Sequence, residues 1–193
     1  MLFELGIKYG SDDAKKITKE IFSFMFNTAL IASSEIAKEK GVFPKYEDSV
    51  LKSEIVNKYA TQETKSIIKE HGLRNCSLIS IAPTGSIANM LGVSGGCEPE
   101  FALSYNRKTE NLNETYRIYL NSVKEYMEIN NVKDDNLPEY FVASADIYWK
   151  DRVDVQAIMQ NYVDTAISST VNLHKDIPIN DVEEIYLYAW CLS

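Results

Sequence analysis

Arg74-Asn75-Cys76-Ser77-Leu78-Ile79-Ser80-Ile81-Ala82-Pro83-Thr84-Gly85-Ser86-Ile87 is the stretch on which the reading of this chain turns. Residues 77–82 are continuous in leucine and isoleucine rather than alternating. That pattern predicts a strand covered on both faces, as in a parallel sheet. The run stops at Pro83, and a small, hydroxyl-rich turn opens a short helix over 84–91. Such a junction aims backbone N–H groups at one point in space and holds a phosphate without needing a lysine. Two readings of the turn stand side by side. One is an ordinary proline–glycine reverse turn. The other is an anion nest in which the Thr84 and Ser86 hydroxyls converge with the amides of Gly85, Ser86 and Ile87. The turn is not a G-x-x-x-x-G-K-[ST] loop, and Gly92, Gly95 and Gly96 lack the dinucleotide-binding spacing.

On the N-terminal side, residues 11–40 predict a long helix. Ser11 caps it, Asp12 and Asp13 suit its positive end, and Lys38 and Lys40 suit its negative end. Ile17, Ile21, Phe24, Met25, Ala29, Ala32 and Ile36 form one apolar stripe, and Phe22, Phe26 and Leu30 a second, which predicts burial on two sides. Gly41 and Pro44 stop it. Shorter helices are predicted over 49–59 and 61–71, the latter ended by Gly72. On the C-terminal side, helices are predicted over 113–130 and 154–166, a short extended piece over 140–143 and a strand over 168–173. A last helix starts at Asn180, with Glu183 completing a capping-box-like pair.

The 193 residues carry a net charge of −8, which disfavours binding to a nucleic-acid polymer while leaving single nucleotides open. No apolar run approaches the ~18 residues of a membrane span. The start, MLFELGIKYG, has no signal-peptide pattern, so a cytoplasmic location is expected. Cys76, Cys97 and Cys191 are widely spaced, and His71 and His174 stand apart, so neither a disulfide scaffold nor a metal site is expected. Cys76 and Cys191 read as core residues and Cys97 as a loop residue, none with the surroundings of a nucleophile. Glu98-Pro99 reads either as a loop turn with a solvated carboxylate or as the mouth of a pocket. The twelve tyrosines read as packing residues. Both ends look cut, so the chain is expected to be an internal piece of a longer protein.

Several segments together resemble one family. LGIKYGSDDA (5–14) and SSEIAKEKGVFP (33–44) are similar to the later part of ribonucleotide reductase catalytic subunits. LRNCSLISIAPTGSIANMLGVSGGCEPEFALSYNRK (73–108) resembles their substrate-phosphate segment, and VDVQAIMQNYVDTAISSTVNLHKDIPINDVEEIYLYAW (153–190) the barrel strand and helix that follow. The wording APTGSI is most similar to the adenosylcobalamin-dependent class, with the oxygen-dependent class as a near relative.

The resemblance implies an α/β fold, the helix-rich C-terminal portion of a ten-stranded barrel, with residues 1–193 a partial catalytic domain truncated at both ends. It implies thiyl-radical reduction of ribonucleotides to deoxyribonucleotides, with adenosylcobalamin serving the full-length enzyme. It assigns the substrate phosphates to Thr84, Gly85, Ser86 and Ile87. The implied partners are a ribonucleotide substrate and the missing remainder of the barrel, with no membrane and no nucleic-acid polymer. The departures are as specific as the matches. The family's radical cysteine sits in an Asn-x-Cys-x-Glu loop, and no such motif occurs here. Cys97 stands where the family pattern usually carries an apolar residue before Glu-Pro. A lysine commonly found in the family's Ala-Ile-Ser-Lys-Thr run is Ser169. No catalytic residue and no metal ligand is therefore assigned in this chain, and it is expected to be inactive alone. The alternatives are a non-catalytic helical module that binds a phosphate-bearing ligand or a protein, or one half of a split enzyme.

Overall fold

A computed structural model describes residues 1–108 and 115–192. Seven α-helices and two strands are assigned among them: α1 (Asp12–Lys40), α2 (Glu54–Tyr59), α3 (Gln62–His71), α4 (Gly85–Leu91), β1 (Ser104–Lys108), β2 (Thr115–Tyr119), α5 (Asn121–Asn130), α6 (Trp149–Gln160) and α7 (Ile179–Cys191). The chain divides into two compact units. The first comprises Met1–Ala14, Pro83–Asp154 and Ser169–Leu192, the second Lys15–Ala82 and Val155–Ser168.

The second unit is built on the apolar face of α1. Phe26 and Leu30 are buried with Val56, Ala60, Ile68, Leu73 and Tyr162 in one core. The Phe26 and Tyr162 rings meet edge to face, with centroids 6.1 Å apart. Only one of the two expected apolar stripes is covered, since Phe24 remains 73% exposed. Asn27 connects α1 to the start of α3. Its carbonyl oxygen accepts the Thr61 N–H and the Thr64 hydroxyl, each at 2.8 Å. Its amide donates to the carbonyls of Ser23 (2.9 Å) and Tyr59 (3.3 Å). Thr61 in turn caps α3 by accepting the Thr64 N–H at 3.1 Å. Gly72 closes α3 with φ +72°, and a Cβ there would lie 2.5 Å from Val42 Cγ1. Both the left-handed backbone and the close approach require glycine at that position.

Among the described residues the first unit holds one antiparallel pair, in which β1 and β2 set Tyr105 opposite Ile118 and Asn106 opposite Arg117. A smaller core of Trp149, Val153 and Ile185 lies under Val171, Leu173 and Tyr188. Trp149 is 7% exposed, whereas Trp190, the penultimate residue of α7, is 74% exposed.

The helix-rich expectation holds, and α1, α3 and α4 fall within a residue of their predicted spans. Several predicted elements need correction. Residues 77–82 are extended and partly exposed rather than covered on both faces, and they join no ladder. Two of their donors are met by a carboxylate: Leu78 and Ile79 N–H both donate to Asp164 Oδ2 at 2.7 Å, and Asp164 N–H returns a bond to the Ile79 carbonyl at 3.1 Å. Residues 168–173 form no strand either. The helix predicted over 113–130 begins only at Asn121, because 115–119 pair as β2. The period-two run Tyr116-Arg117-Ile118-Tyr119 suits a strand better than its helical spacing implied. Residues 113 and 114 of that prediction lie outside the described residues. The helix predicted over 154–166 starts and stops earlier, at Trp149 and Gln160. Gln160 ends it by turning onto the chain beyond, donating to the carbonyls of Val163 and Thr165 and accepting the Ile167 N–H. Residues 49–59 are split at Ser53 into a 3₁₀ turn and α2. In the expected extended piece over 140–143, Tyr140 lies in a turn, and the Phe141 and Val142 N–H groups donate to the nearby carbonyls of Pro138 and Tyr140. The α7 cap is Pro178, with no side-chain bond, so the Asn180–Glu183 capping pair does not form. Cys76 and Cys191 are exposed rather than in a core.

Candidate anion site

Pro83 and the helix after it set the site. Thr84 sits at the start of α4, and its carbonyl accepts the Ala88 N–H at 2.8 Å. The amides of the next residues belong to the first helical turn, where no carbonyl lies one turn back to receive them. Gly85, Ser86 and Ile87 are all exposed and Thr84 is half-buried. Gly85 has an unstrained φ, and a Cβ built on it meets nothing within 4 Å. Glycine is thus not demanded there by the protein's own packing. A seven-residue helix carries a small dipole, so any anion affinity must come from individual donors: the first-turn amides and the hydroxyls of Thr84 and Ser86.

The glycine-rich loop that follows α4 returns to this turn. Gly96 N–H donates to Thr84 Oγ1 at 3.3 Å. Gly95, whose Cβ would lie 3.7 Å from Gly85 Cα, rests on the same turn. Glu98 N–H closes a tight turn onto the Gly95 carbonyl at 3.1 Å, and Gly96 takes φ +54° inside it, a backbone region that favours glycine.

Beyond the loop lies a polar group of residues that sequence reasoning did not assemble. Tyr9 O–H donates to the Cys97 carbonyl at 3.0 Å. Glu98 Oε1 accepts the Thr170 N–H at 2.8 Å and lies 3.9 Å from Arg152 Nη2, whose side chain is 4% exposed. The sequence marks Glu98 as a loop or pocket-mouth residue. Arg152 lies just outside the helix predicted over 154–166, and Tyr9 is one of twelve tyrosines. The one local signal was an arginine followed at once by Val153, a position on the apolar face of α6.

Burial dominates the chemistry of this group. Tyr9 is pushed up to about 12, chiefly by desolvation, with the Arg152 guanidinium pulling the other way. The Cys97 thiol is pushed up to about 11 by burial, again against Arg152. A thiol so shifted stays protonated near neutrality and is a poor nucleophile. Between about pH 10 and 12 the native state keeps a Tyr9 proton that the unfolded chain has released. Stability is therefore intact below pH 10 and falls as pH rises through that window, by on the order of 2–3 kcal/mol for a shift of this size. The expected result is an alkaline unfolding limb that Tyr9→Phe flattens above pH 10, measured by urea denaturation at a series of pH values. A limb unchanged in that variant would show that Tyr9 does not titrate late.

Three cavities lie elsewhere. One of about 620 Å³ is lined by Lys16, Lys19, Phe24, Asn27 and Tyr162. A second, of about 590 Å³, is lined by Met90, Glu100, Tyr105, Ile118 and Asn121, and burial raises the Glu100 carboxyl above its usual range. The third, of about 480 Å³, includes Trp149, Asn172, His174 and Asp181. None of these three includes residues 84–87. Among the described residues there is no cluster of three or more potential metal ligands, and no helix is long and apolar enough to cross a membrane.

Residues 1–193 match the ribonucleotide reductase barrel domain over their whole length, and the chain belongs to that family. It is 30% identical to the vitamin B12-dependent ribonucleoside-diphosphate reductase of Thermoplasma acidophilum, covering 98% of this chain and 25% of that protein. The enzyme of the same name from Mycobacterium tuberculosis is 28% identical over 98% of this chain and 28% of its own length. The ribonucleoside-diphosphate reductase large chain of Schizosaccharomyces pombe is 34% identical over 55% of this chain and 14% of its own. The chain thus spans about a quarter of the length of the first two relatives.

Proposed function

We propose that this chain is the section of a ribonucleotide reductase that holds the substrate's phosphates, within an enzyme that converts ribonucleoside diphosphates to deoxyribonucleotides for DNA synthesis in the cytoplasm. The observation that carries this reading is the 84–87 turn. Gly85, Ser86 and Ile87 are exposed there beside the half-buried Thr84, the turn offers main-chain and hydroxyl donors with no cation among its own residues, and it lies in a chain matched end to end by the family's barrel domain. Thr84, Gly85, Ser86 and Ile87 bind the phosphate tail and fix the ribose relative to the reacting centre, which is a positioning role. The rest of a ten-stranded barrel supplies the thiyl-radical cysteine, since no Asn-x-Cys-x-Glu run occurs here. The chain by itself is then a binding section without turnover.

The Thermoplasma acidophilum and Mycobacterium tuberculosis relatives are named as vitamin B12-dependent. The three cavities, at about 480–620 Å³, fall in the range of sites for drug-sized ligands. A corrinoid with its nucleotide tail is larger. Neither these cavities nor the 84–87 turn fits the group, and the roles derived for this chain require none of its chemistry.

The test is stabilisation by ligand. CDP at about a hundred times its Kd is expected to stabilise the polypeptide by roughly 2.7 kcal/mol, read as a rise in Tm, with inorganic pyrophosphate giving part of the effect and cytidine none. A rise with cytidine equal to that with CDP would remove the phosphate reading. An Asn-x-Cys-x-Glu loop in the adjoining coding sequence is the further expectation.

A further inference from the structure

Thr84 enters the proposed anion site with its hydroxyl already engaged. Because Gly96 N–H donates to Thr84 Oγ1 at 3.3 Å, that oxygen acts as an acceptor toward the loop. Its own proton is then free to point to a second acceptor outside the turn, which is the orientation an anion needs. What holds Gly96 in place is therefore part of the site. The loop is pinned on both sides of its tight turn. Tyr9 O–H binds the Cys97 carbonyl at 3.0 Å, and the Glu98 carboxylate bridges the Thr170 N–H at 2.8 Å and the buried Arg152 guanidinium at 3.9 Å.

The geometry points to Glu98 as a positioning residue of the phosphate site, acting through Gly96 on the Thr84 hydroxyl. This rests on the reading of the 84–87 turn as that site. A carboxylate near an anion site opposes binding unless a cation offsets it, and Arg152 is that cation. The carboxylate contributes by geometry: it ties the loop to residue 170, on a segment distant in sequence, so the Gly96 amide meets Thr84 at a fixed place before any ligand arrives. Pre-set donors bind more tightly than donors that must be ordered on binding. Glu98 touches no phosphate itself.

The experiment is a double-mutant cycle on the whole polypeptide that carries this chain, with inorganic pyrophosphate as the probe and Kd and Tm measured for each variant. Glu98→Ala is expected to weaken pyrophosphate binding about tenfold, the scale of one charge-assisted contact. Glu98→Gln, which keeps an acceptor for the Thr170 N–H, is expected to lie between Glu98→Ala and wild type. Thr84→Val is expected to weaken binding too, and adding Glu98→Ala to it is expected to change Kd no further, because the two act on one hydroxyl. Equal losses from Glu98→Ala in both backgrounds would overturn the inference, as would wild-type affinity in Glu98→Gln and Glu98→Ala. If Glu98→Ala does not fold, the cycle is run with Glu98→Gln and the same outcomes decide. Wild type failing to bind pyrophosphate would sink the phosphate reading itself and this inference with it, whereas wild type binding and the variants matching it sinks only the role of Glu98.

Discussion

Gly85→Asp is expected to leave the fold intact and to weaken phosphate binding by roughly a thousandfold. The two halves of that result have separate causes. A side chain at 85 meets open space, with no neighbour within 4 Å of its Cβ and no positive φ to strain. An acidic residue in the first turn of a helix is, if anything, stabilising. The apo Tm should therefore stay within a degree or two of wild type. The new carboxylate, however, lies beside the amides proposed to receive the phosphate. Two unit charges about 4 Å apart repel by roughly 4 kcal/mol at the dielectric of a protein surface, which corresponds to about three orders of magnitude in Kd. Isothermal titration with CDP and with pyrophosphate measures the loss, and a thermal scan measures the fold. Gly85→Ala is the control: it fills the same open space without charge and should lose far less. Retained binding in the aspartate variant would move the phosphate away from this turn.

The second large effect is on stability. Asn27→Leu is expected to destabilise the second unit by about 2–4 kcal/mol, a fall of roughly 5–15 °C in Tm for a chain of this size. Asn27 is 8% exposed, and its amide makes four bonds, two as acceptor from Thr61 and Thr64 and two as donor to Ser23 and Tyr59. Leucine fits the volume but leaves the fully buried Thr64 hydroxyl with one partner fewer and the carbonyls of Ser23 and Tyr59 without this donor. Because the same oxygen organises the Thr61 cap, the loss should also fray the start of α3, seen as faster amide exchange at residues 62–65. An Asn27→Leu variant within half a kcal/mol of wild type would show that the network adds nothing beyond apolar packing.

What the sequence made legible was local. The long helix α1 is announced by its cap, its charge gradient and its apolar stripe, and α3 by Thr61 and Gly72. The turn at 84–87 is announced by Pro83 and Gly85. What it did not reveal depends on residues far apart in the chain. Residues 77–82 have the composition of a buried strand, but two of their donors go to Asp164, some 85 positions away, and no local pattern contains that. Residues 115–119 have apolar spacing compatible with a helix; pairing with β1 made them a strand. The α7 boundary was placed on a capping motif whose side chains make no cap, so the motif without the geometry misled by a residue. At the site, the turn itself could be read from sequence. The supporting group could not, because Tyr9, Glu98, Arg152 and Thr170 come from four separate stretches and only the fold brings them together.

The unequal surroundings of the two tryptophans have an optical consequence. Trp149 sits in an apolar core and Trp190 in solvent, so the chain's fluorescence is the sum of a blue-shifted emitter shielded from iodide and a red-shifted one open to it. Whatever comes to cover the end of α7, whether another part of the same polypeptide or a separate molecule, will mute the quenchable fraction and leave the other untouched, giving assembly a signal of its own that needs no label.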